Sequence, residues 1–195
     1  RLILSSGTTG AAKALAFTPR ILADRVYTRI ALNAESHAQR TLLAPGLTSQ
    51  MGWVGALASL TTGGFVLFST TAETTLQMID IYGVTNLVVT ANQIRDLLAF
   101  KEKQNFSVES LRTVQIGGGL ISDVLLRRVQ AAFCHRVLCR YGATETGIVA
   151  FAPGHALAGL EGAVGFVAPW AQVEMLDDEG RLVPRGASGR LRVRT

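Results

Sequence analysis

The sequence predicts an α/β fold: a doubly wound, mostly parallel sheet with helices on both faces, followed by a small β element. Three observations carry this. Short apolar runs alternate with helical segments along most of the chain, the pattern of repeated βαβ units. Those runs, such as Leu87-Val88-Val89, are continuously apolar, as expected when helices cover both faces of a sheet. Three loops rich in glycine and hydroxyl groups each directly follow such a run, and ligands of open α/β sheets sit beyond the carboxyl ends of the strands.

The elements follow in order. Leu2-Ile3-Leu4 reads as a strand that steadies the first loop. Thr18-Pro19 supplies an N-cap and a first-turn proline, opening a helix to about Glu35. Strands are expected at 41–44, 64–69, 85–89, 112–116 and 136–140, with helices near 51–61, 73–82, 91–102 and 122–133. From about residue 156 the pattern changes: Gly159, Gly162 and Gly165 cluster, Val173–Leu176 alternates as a strand, Asp177-Asp178-Glu179-Gly180 turns, and a second strand follows Pro184. The expected organisation is therefore an α/β nucleotide-binding core over 1–155 and a small β element over 156–195, leading to a subdomain cut at Thr195. Both ends read as cut, so the sequence is expected to be a piece of a larger protein.

Composition narrows the classes. The chain of 195 residues is 48% hydrophobic and only 17% charged. Residues 41–72 carry no charge, yet Pro45, Gly46, Gly52, Gly63, Gly64 and several Thr and Ser residues interrupt them. A membrane span needs about 20 consecutive apolar residues, so no span is expected. The net charge of +5 includes Arg181, Arg185, Arg190, Arg192 and Arg194. Without interleaved aromatics they read as a solvated hairpin edge rather than a nucleic-acid surface. Cys134 and Cys139 lack the second cluster a metal site needs and read as buried thiols, leaving a reducing cytoplasm as the expected compartment.

The loops carry the chemistry. Ser5-Ser6-Gly7-Thr8-Thr9-Gly10 followed by Lys13 places hydroxyls, glycine-freed amides and an ammonium together, an anion-binding nest suited to a nucleotide triphosphate. It is not the common P-loop, because two alanines separate Gly10 from Lys13 and Ala14 follows the lysine. A flexible Ser/Gly/Thr linker is the competing reading. Gly117-Gly118-Gly119 admits a flat ring against bare backbone, and Ser122-Asp123 caps the helix after it. Tyr141-Gly142-Ala143-Thr144-Glu145-Thr146-Gly147 offers an aromatic for stacking, a hydroxyl for phosphate and a carboxylate for a hard cation.

On these residues the chain resembles the adenylate-forming superfamily, which includes acyl-CoA synthetases, firefly luciferase and the adenylation domains of peptide synthetases. Ser5–Lys13 is similar to its phosphate loop, Leu111-Arg112 through Gly119 to its Leu-Arg…Gly-Gly segment, and Tyr141–Glu145 to its Tyr-Gly-x-Thr-Glu signature. Gly162–Arg194 resembles the stretch leading to its Gly-Glu-Leu strand. The resemblance covers essentially the whole chain and points to a partial N-terminal domain. It implies that Ser5, Ser6, Gly7, Thr8, Thr9, Gly10 and Lys13 hold the β- and γ-phosphates of ATP. Gly117, Gly118, Gly119, Tyr141 and Gly142 would flank the nucleotide, Thr144 would touch the α-phosphate, and Glu145 would bind Mg²⁺. Trp53, Val54, Leu57 and Ile148, beside Gly117 and Gly142, would line the acyl pocket.

The implied reaction joins a carboxylic acid to AMP and then to CoA, making the whole protein an AMP-forming acid–thiol ligase of the acyl-CoA synthetase type, as in fatty acid metabolism. A carrier-protein thiol in place of CoA, or a non-catalytic nucleotide- or acyl-binding paralogue, are the alternatives. Ala12 and Ala14 depart from the usual proline and glycine. Gly46-Leu47-Thr48-Ser49 stands where many relatives carry a histidine. The ribose-binding aspartate and the catalytic lysine of the family would lie beyond Thr195, so this stretch alone is expected to be inactive.

Overall fold

The structure, a computed structural model, describes residues 2–5, 13–33 and 39–195. Leu2–Ser5 (β1) and Lys13–Ala16 (β2) form an antiparallel hairpin with Ser5 opposite Lys13. Helix Pro19–Asn33 (α1) is followed by Arg40–Leu43 (β3), Gln50–Thr61 (α2), Phe65–Phe68 (β4), Ala72–Tyr82 (α3) and Asn86–Thr90 (β5). Then come Ala91–Lys101 (α4), Thr113–Gly117 (β6), Asp123–Ala132 (α5), Val137–Ala143 (β7) and Gly147–Pro153 (β8). A 3₁₀ turn at Gly154–Leu157 leads to Phe166–Val167 (β9), Gln172–Leu176 (β10) and Arg190–Arg194 (β11). Glu35, the expected end of the first helix, lies outside the described residues.

Seven strands make the central sheet in the order β4-β3-β5-β6-β7-β8-β9. In sheet order β4 through β7 are mutually parallel, β8 runs antiparallel to β7, and β9 antiparallel to β8. The chain steps outward from β3 to β4 and returns past β3 to β5, so the winding direction reverses between β3 and β5. Strand alternation divides the side chains between two layers. Leu42, Leu87, Val89, Val114, Ile116, Val137 and Cys139 meet Leu76 and Ile79 of α3, Ile94, Leu97 and Leu98 of α4, and Leu125, Leu126 and Val129 of α5. On the opposite face Leu43 and Val88 meet Ala56 of α2. Outside that face Val26 of α1 joins Trp53 and Val54 of α2, together with Ile3 and Phe17. The doubly wound sheet read from the sequence is therefore the observed one.

Caps explain why the helices begin where they do. Ser49, Thr71, Thr90 and Ser122 each accept an amide of the first helical turn, and Thr71 and Thr90 complete capping boxes with Thr74 and Gln93. Gln93 also donates to the Ala44 carbonyl at 2.8 Å, tying the start of α4 to the loop after β3. Ile116 is fully buried. Ile116→Val should therefore lower unfolding free energy by about 1 kcal/mol, measured by urea titration; no change would mean the layer relaxes freely around the lost methyl.

Between β3 and β5 the α2 face carries polar groups. Ser59 Oγ donates to Thr41 Oγ1 at 3.2 Å, Asn86 Nδ2 to the same oxygen at 3.4 Å, and Gln115 Nε2 to Asn86 Oδ1 at 3.1 Å. Arg29 of α1 closes the row, donating to Gln115 Oε1 and to the Met51 carbonyl, both at 3.3 Å. All five side chains are buried.

β10 and β11 form a separate antiparallel pair, where the arginine-rich end of the chain lies. Arg192 pairs with Glu174, Arg190 with Asp178, and Arg181 with Asp177 and Glu179. The Arg181 amide and guanidinium, with the Glu179 amide, hold the partly exposed Asp177 carboxyl below its ordinary range. A carboxyl whose folded pKa is depressed stabilises the turn above its ordinary value and loses that contribution as pH falls through the lowered one. A carbon-13 titration of Asp177 should thus have its midpoint below that of an unstructured aspartate; a midpoint at the ordinary value contradicts the turn geometry.

Three strands were not foreseen, among them the two-residue β9. β2, Lys-Ala-Leu-Ala, contains no β-branched residue, and pairing with β1 overrides its weak strand propensity. β8 makes the Tyr141–Gly147 segment part of a β-hairpin rather than the connection expected after a parallel strand. Cys139 lies in the α3–α5 layer, where burial pushes its thiol up to about 11. Cys134 is half-exposed rather than buried, and its Sγ donates to the Arg136 carbonyl at 3.6 Å. Among the described residues no helix is long and apolar enough to cross a membrane.

Candidate functional site

The carboxyl ends of β3, β6 and β7 open into one cleft of about 1190 Å³. Its walls bring together Lys13 from β2, Thr48–Met51 at the start of α2, Gly117 and Gly118 after β6, and Arg140–Ile148 of the β7–β8 hairpin. α1 forms the facing wall through Ile21, Asp24, Arg25 and Thr28, with Trp170 at one side. Residues far apart in sequence thus converge where the parallel strands end.

The nucleotide-site residues inferred from the sequence divide as follows. Lys13, Gly117, Gly118, Tyr141, Gly142, Thr144 and Glu145 line the cleft. Gly119 follows them in an exposed bend and is not part of the wall. Ser5 ends β1 opposite Lys13. Ser6, Gly7, Thr8, Thr9 and Gly10 lie outside the described residues. Gly117 is closely bounded: a Cβ there would meet Met51 Cε at 3.2 Å and the Arg140 carbonyl oxygen at 3.3 Å.

Of the acyl-pocket residues, Val54 and Ile148 line the cleft, whereas Trp53 and Leu57 do not. Trp53 points into the α1–α2 layer, edge-on to Phe17 with ring centroids 6.2 Å apart, and Leu57 packs in the same layer. Val54 is buried in that same layer and also reaches the cleft wall. Thr48 and Ser49 both face the cleft, and Ser49 also caps α2.

The hairpin that presents Tyr141, Thr144 and Glu145 is tightly built. The pairing shifts register between Tyr141 and Gly142, a bulge that turns the following residues. A Cβ on Gly142 would overlap the carbonyl oxygen of Gly147 across the hairpin. Gly147 has φ +70°, in the left-handed region that favours glycine. Ala143 N donates to Thr146 Oγ1 at 3.2 Å. Trp170 Nε1 donates to the Ile148 carbonyl at 2.9 Å, and its ring stacks on Phe151 with centroids 6.3 Å apart.

Sequence reasoning missed the α1 wall. Arg25 reaches from it to donate, through Nη2, to the Glu145 carbonyl at 3.0 Å. Burial lowers the Arg25 pKa, with the nearby Asp24 charge opposing that shift, and an arginine lowered from so high a value remains a cation. The only sequence signal was spacing: Ile21, Asp24, Arg25 and Thr28 share one helical face.

Chemically, the cleft offers the Lys13 ammonium, the guanidinium groups of Arg25, Arg29 and Arg140, bare glycine backbone, the phenols of Tyr27 and Tyr141, hydroxyls, and the exposed carboxylates of Asp24 and Glu145. Among the described residues no three His, Cys, Asp or Glu side chains group as a metal cage, and no cation pairs with the Glu145 carboxylate. One carboxylate together with substrate phosphates is how Mg²⁺ is commonly held, so Glu145 fits that ion.

The sequence profile of a family described as AMP-binding enzyme matches residues 2–195. An indoleacetate–CoA ligase of Aromatoleum aromaticum is 28% identical over 97% of this chain, which spans 38% of that relative's length. Among solved structures, the o-succinylbenzoate coenzyme A synthetase of Bacillus subtilis, in complex with ATP and magnesium ion, superposes with a TM-score of 0.84. It is 23% identical over 98% of this chain and 40% of its own. The luciferase-like enzyme of the nonluminescent mealworm Zophobas morio gives 0.81 at 24% identity, covering the whole of this chain and 47% of its own.

Proposed function

Because the chain belongs to the AMP-binding enzyme family, we propose that the protein it forms part of activates a carboxylic acid with ATP and transfers the acyl group to the thiol of CoA. The observation that carries this reading is the convergence of Lys13, Gly117, Gly118, Tyr141, Thr144 and Glu145 on one cleft at the strand ends. The relative named as a CoA ligase supports CoA over a carrier protein as the acceptor. In this reading 1–155 is the nucleotide-binding core, and 156–195 leads to a further subdomain.

Each residue then has a role. Lys13 neutralises the β- and γ-phosphates, while Gly117 and Gly118 let the base lie against the main chain with Tyr141 on its other side. The Thr144 hydroxyl donates to an α-phosphate oxygen. Glu145 would hold Mg²⁺, which supplies neutralisation of the charge shifted onto the departing phosphates. Val54 and Ile148 shape the acid's side of the cleft. A carboxylate oxygen of the acid attacks the α-phosphorus, the bond to the bridging oxygen breaks, and pyrophosphate leaves with that electron pair. The CoA thiolate next attacks the acyl carbon and expels AMP. Little covalent work falls to the protein, which positions and compensates charge.

The test is carboxylate-dependent ATP–pyrophosphate exchange by the full-length protein across short, long and aromatic acids, with Lys13→Ala alongside. Exchange stimulated by one acid class and reduced about a hundredfold by Lys13→Ala is the expected result. ATP binding without exchange for any acid would sink the reading and favour a non-catalytic nucleotide binder.

A further inference from the structure

We propose that Arg25 is a positioning residue that holds the main chain at Glu145 and so aims the Glu145 carboxylate into the cleft. This rests on the role given to Glu145 above. Two independent features of the geometry point to it. Arg25 Nη2 donates to the Glu145 carbonyl at 3.0 Å, joining elements 120 residues apart in sequence. Directly beneath, Gly147 leaves the space that the guanidinium fills: a Cβ at Gly147 would overlap Arg25 Nη1.

The tie is useful only if its anchor is firm, and α1 is firmly anchored. Val26, next to Arg25, is buried against the Trp53 layer, and Arg29, one turn on, is bound to Met51 and Gln115. The hairpin tip has fewer holds, resting on the β7–β8 ladder and on Thr146. Among the described residues no carboxylate lies within ion-pair distance of Arg25, so its charge is spent on a main-chain oxygen. A guanidinium presents its donors in a rigid planar fork, so the bond it makes also sets an angle. Asp24 and Glu145 are the acidic residues of the cleft wall, and the Asp24 charge favours the cationic form of Arg25.

The experiment uses the full-length protein as wild type, Arg25→Ala and Arg25→Lys, with two readouts. One is amide hydrogen exchange over 141–147; the other is the Mg²⁺ concentration giving half-maximal pyrophosphate exchange. Arg25→Ala should speed amide exchange in the hairpin about tenfold and raise the Mg²⁺ requirement about tenfold. Arg25→Lys, whose ammonium can also donate to a carbonyl, should recover part of both. Unchanged hairpin protection in Arg25→Ala overturns the tie whatever the activity of the wild type. Lost protection with an unmoved Mg²⁺ requirement also overturns the proposal, leaving a purely structural contact. A wild type that shows no pyrophosphate exchange defeats the ligase reading and with it the aiming role, while hydrogen exchange still reports whether the contact exists.

Discussion

Glu145→Ala is expected to cut carboxylate-dependent pyrophosphate exchange by the full-length protein about a thousandfold, while unfolding free energy stays within about 0.5 kcal/mol of wild type. The two halves of this expectation have separate causes. Glu145 is exposed in the cleft, and what the fold uses at this position is its carbonyl, which alanine retains. Removal of the side chain therefore costs little stability. In the proposed reaction its carboxylate would hold Mg²⁺, and without it the charge moving onto pyrophosphate would be neutralised less well. Rate measurements with saturating ATP and a Mg²⁺ series, paired with urea unfolding, give both numbers. Activity within tenfold of wild type would remove Glu145 from the site. A matching fall in stability would recast it as a structural residue.

Gly142→Ala is expected to lower the same exchange about a hundredfold and to cost roughly 2 kcal/mol of stability. Here the obstacle is backbone against backbone. The added Cβ overlaps the Gly147 carbonyl oxygen, and a hairpin carbonyl has no rotamer to which it can retreat. Strands β7 and β8 must separate locally at the bulge, displacing Tyr141, Thr144 and Glu145 together. A displacement of about 1 Å at reacting groups is enough for a hundredfold loss. Urea unfolding and exchange kinetics measured on one preparation test this. Wild-type activity with intact stability would mean that the hairpin relaxes without moving its tip.

Much of the fold was legible because its signals are local. Thr18 and Ser122 mark helix starts through hydroxyls that accept first-turn amides, and Leu87-Val88-Val89 states a two-sided burial in three residues. β8 was harder to see, since Gly147–Pro153 could have been the start of another crossover, and its direction is decided by pairing with β7. The site was readable where a motif is contiguous, as at Tyr141–Glu145. It was not readable where two elements meet. Nothing in the α1 sequence distinguishes Arg25, which clasps the hairpin, from an arginine on a solvated helix face. In α2, Trp53 and Val54 are adjacent and both buried in the α1–α2 layer, and only the packing of the helix decides that Val54 also reaches the cleft while Trp53 does not.

The row Thr41–Asn86–Gln115 acts as a set of keyed teeth. Thr41 and Asn86 are direct partners between β3 and β5, and Gln115 lies on the next strand over. Because side chains alternate with period two, slipping any one of these strands by a single residue would drive its amide or hydroxyl into the layer of Leu42, Leu87 and Val114. That layer is built from the apolar side chains of α3, α4 and α5, so each misplaced group would be buried among them at a desolvation cost. Assembly errors are thus penalised at the centre of the sheet, well below the cleft. Gly117 at the end of β6 and the loop after β3 therefore come to rest level with each other. The alignment of the cleft's mouth is set, before any ligand arrives, by the counting of these buried teeth.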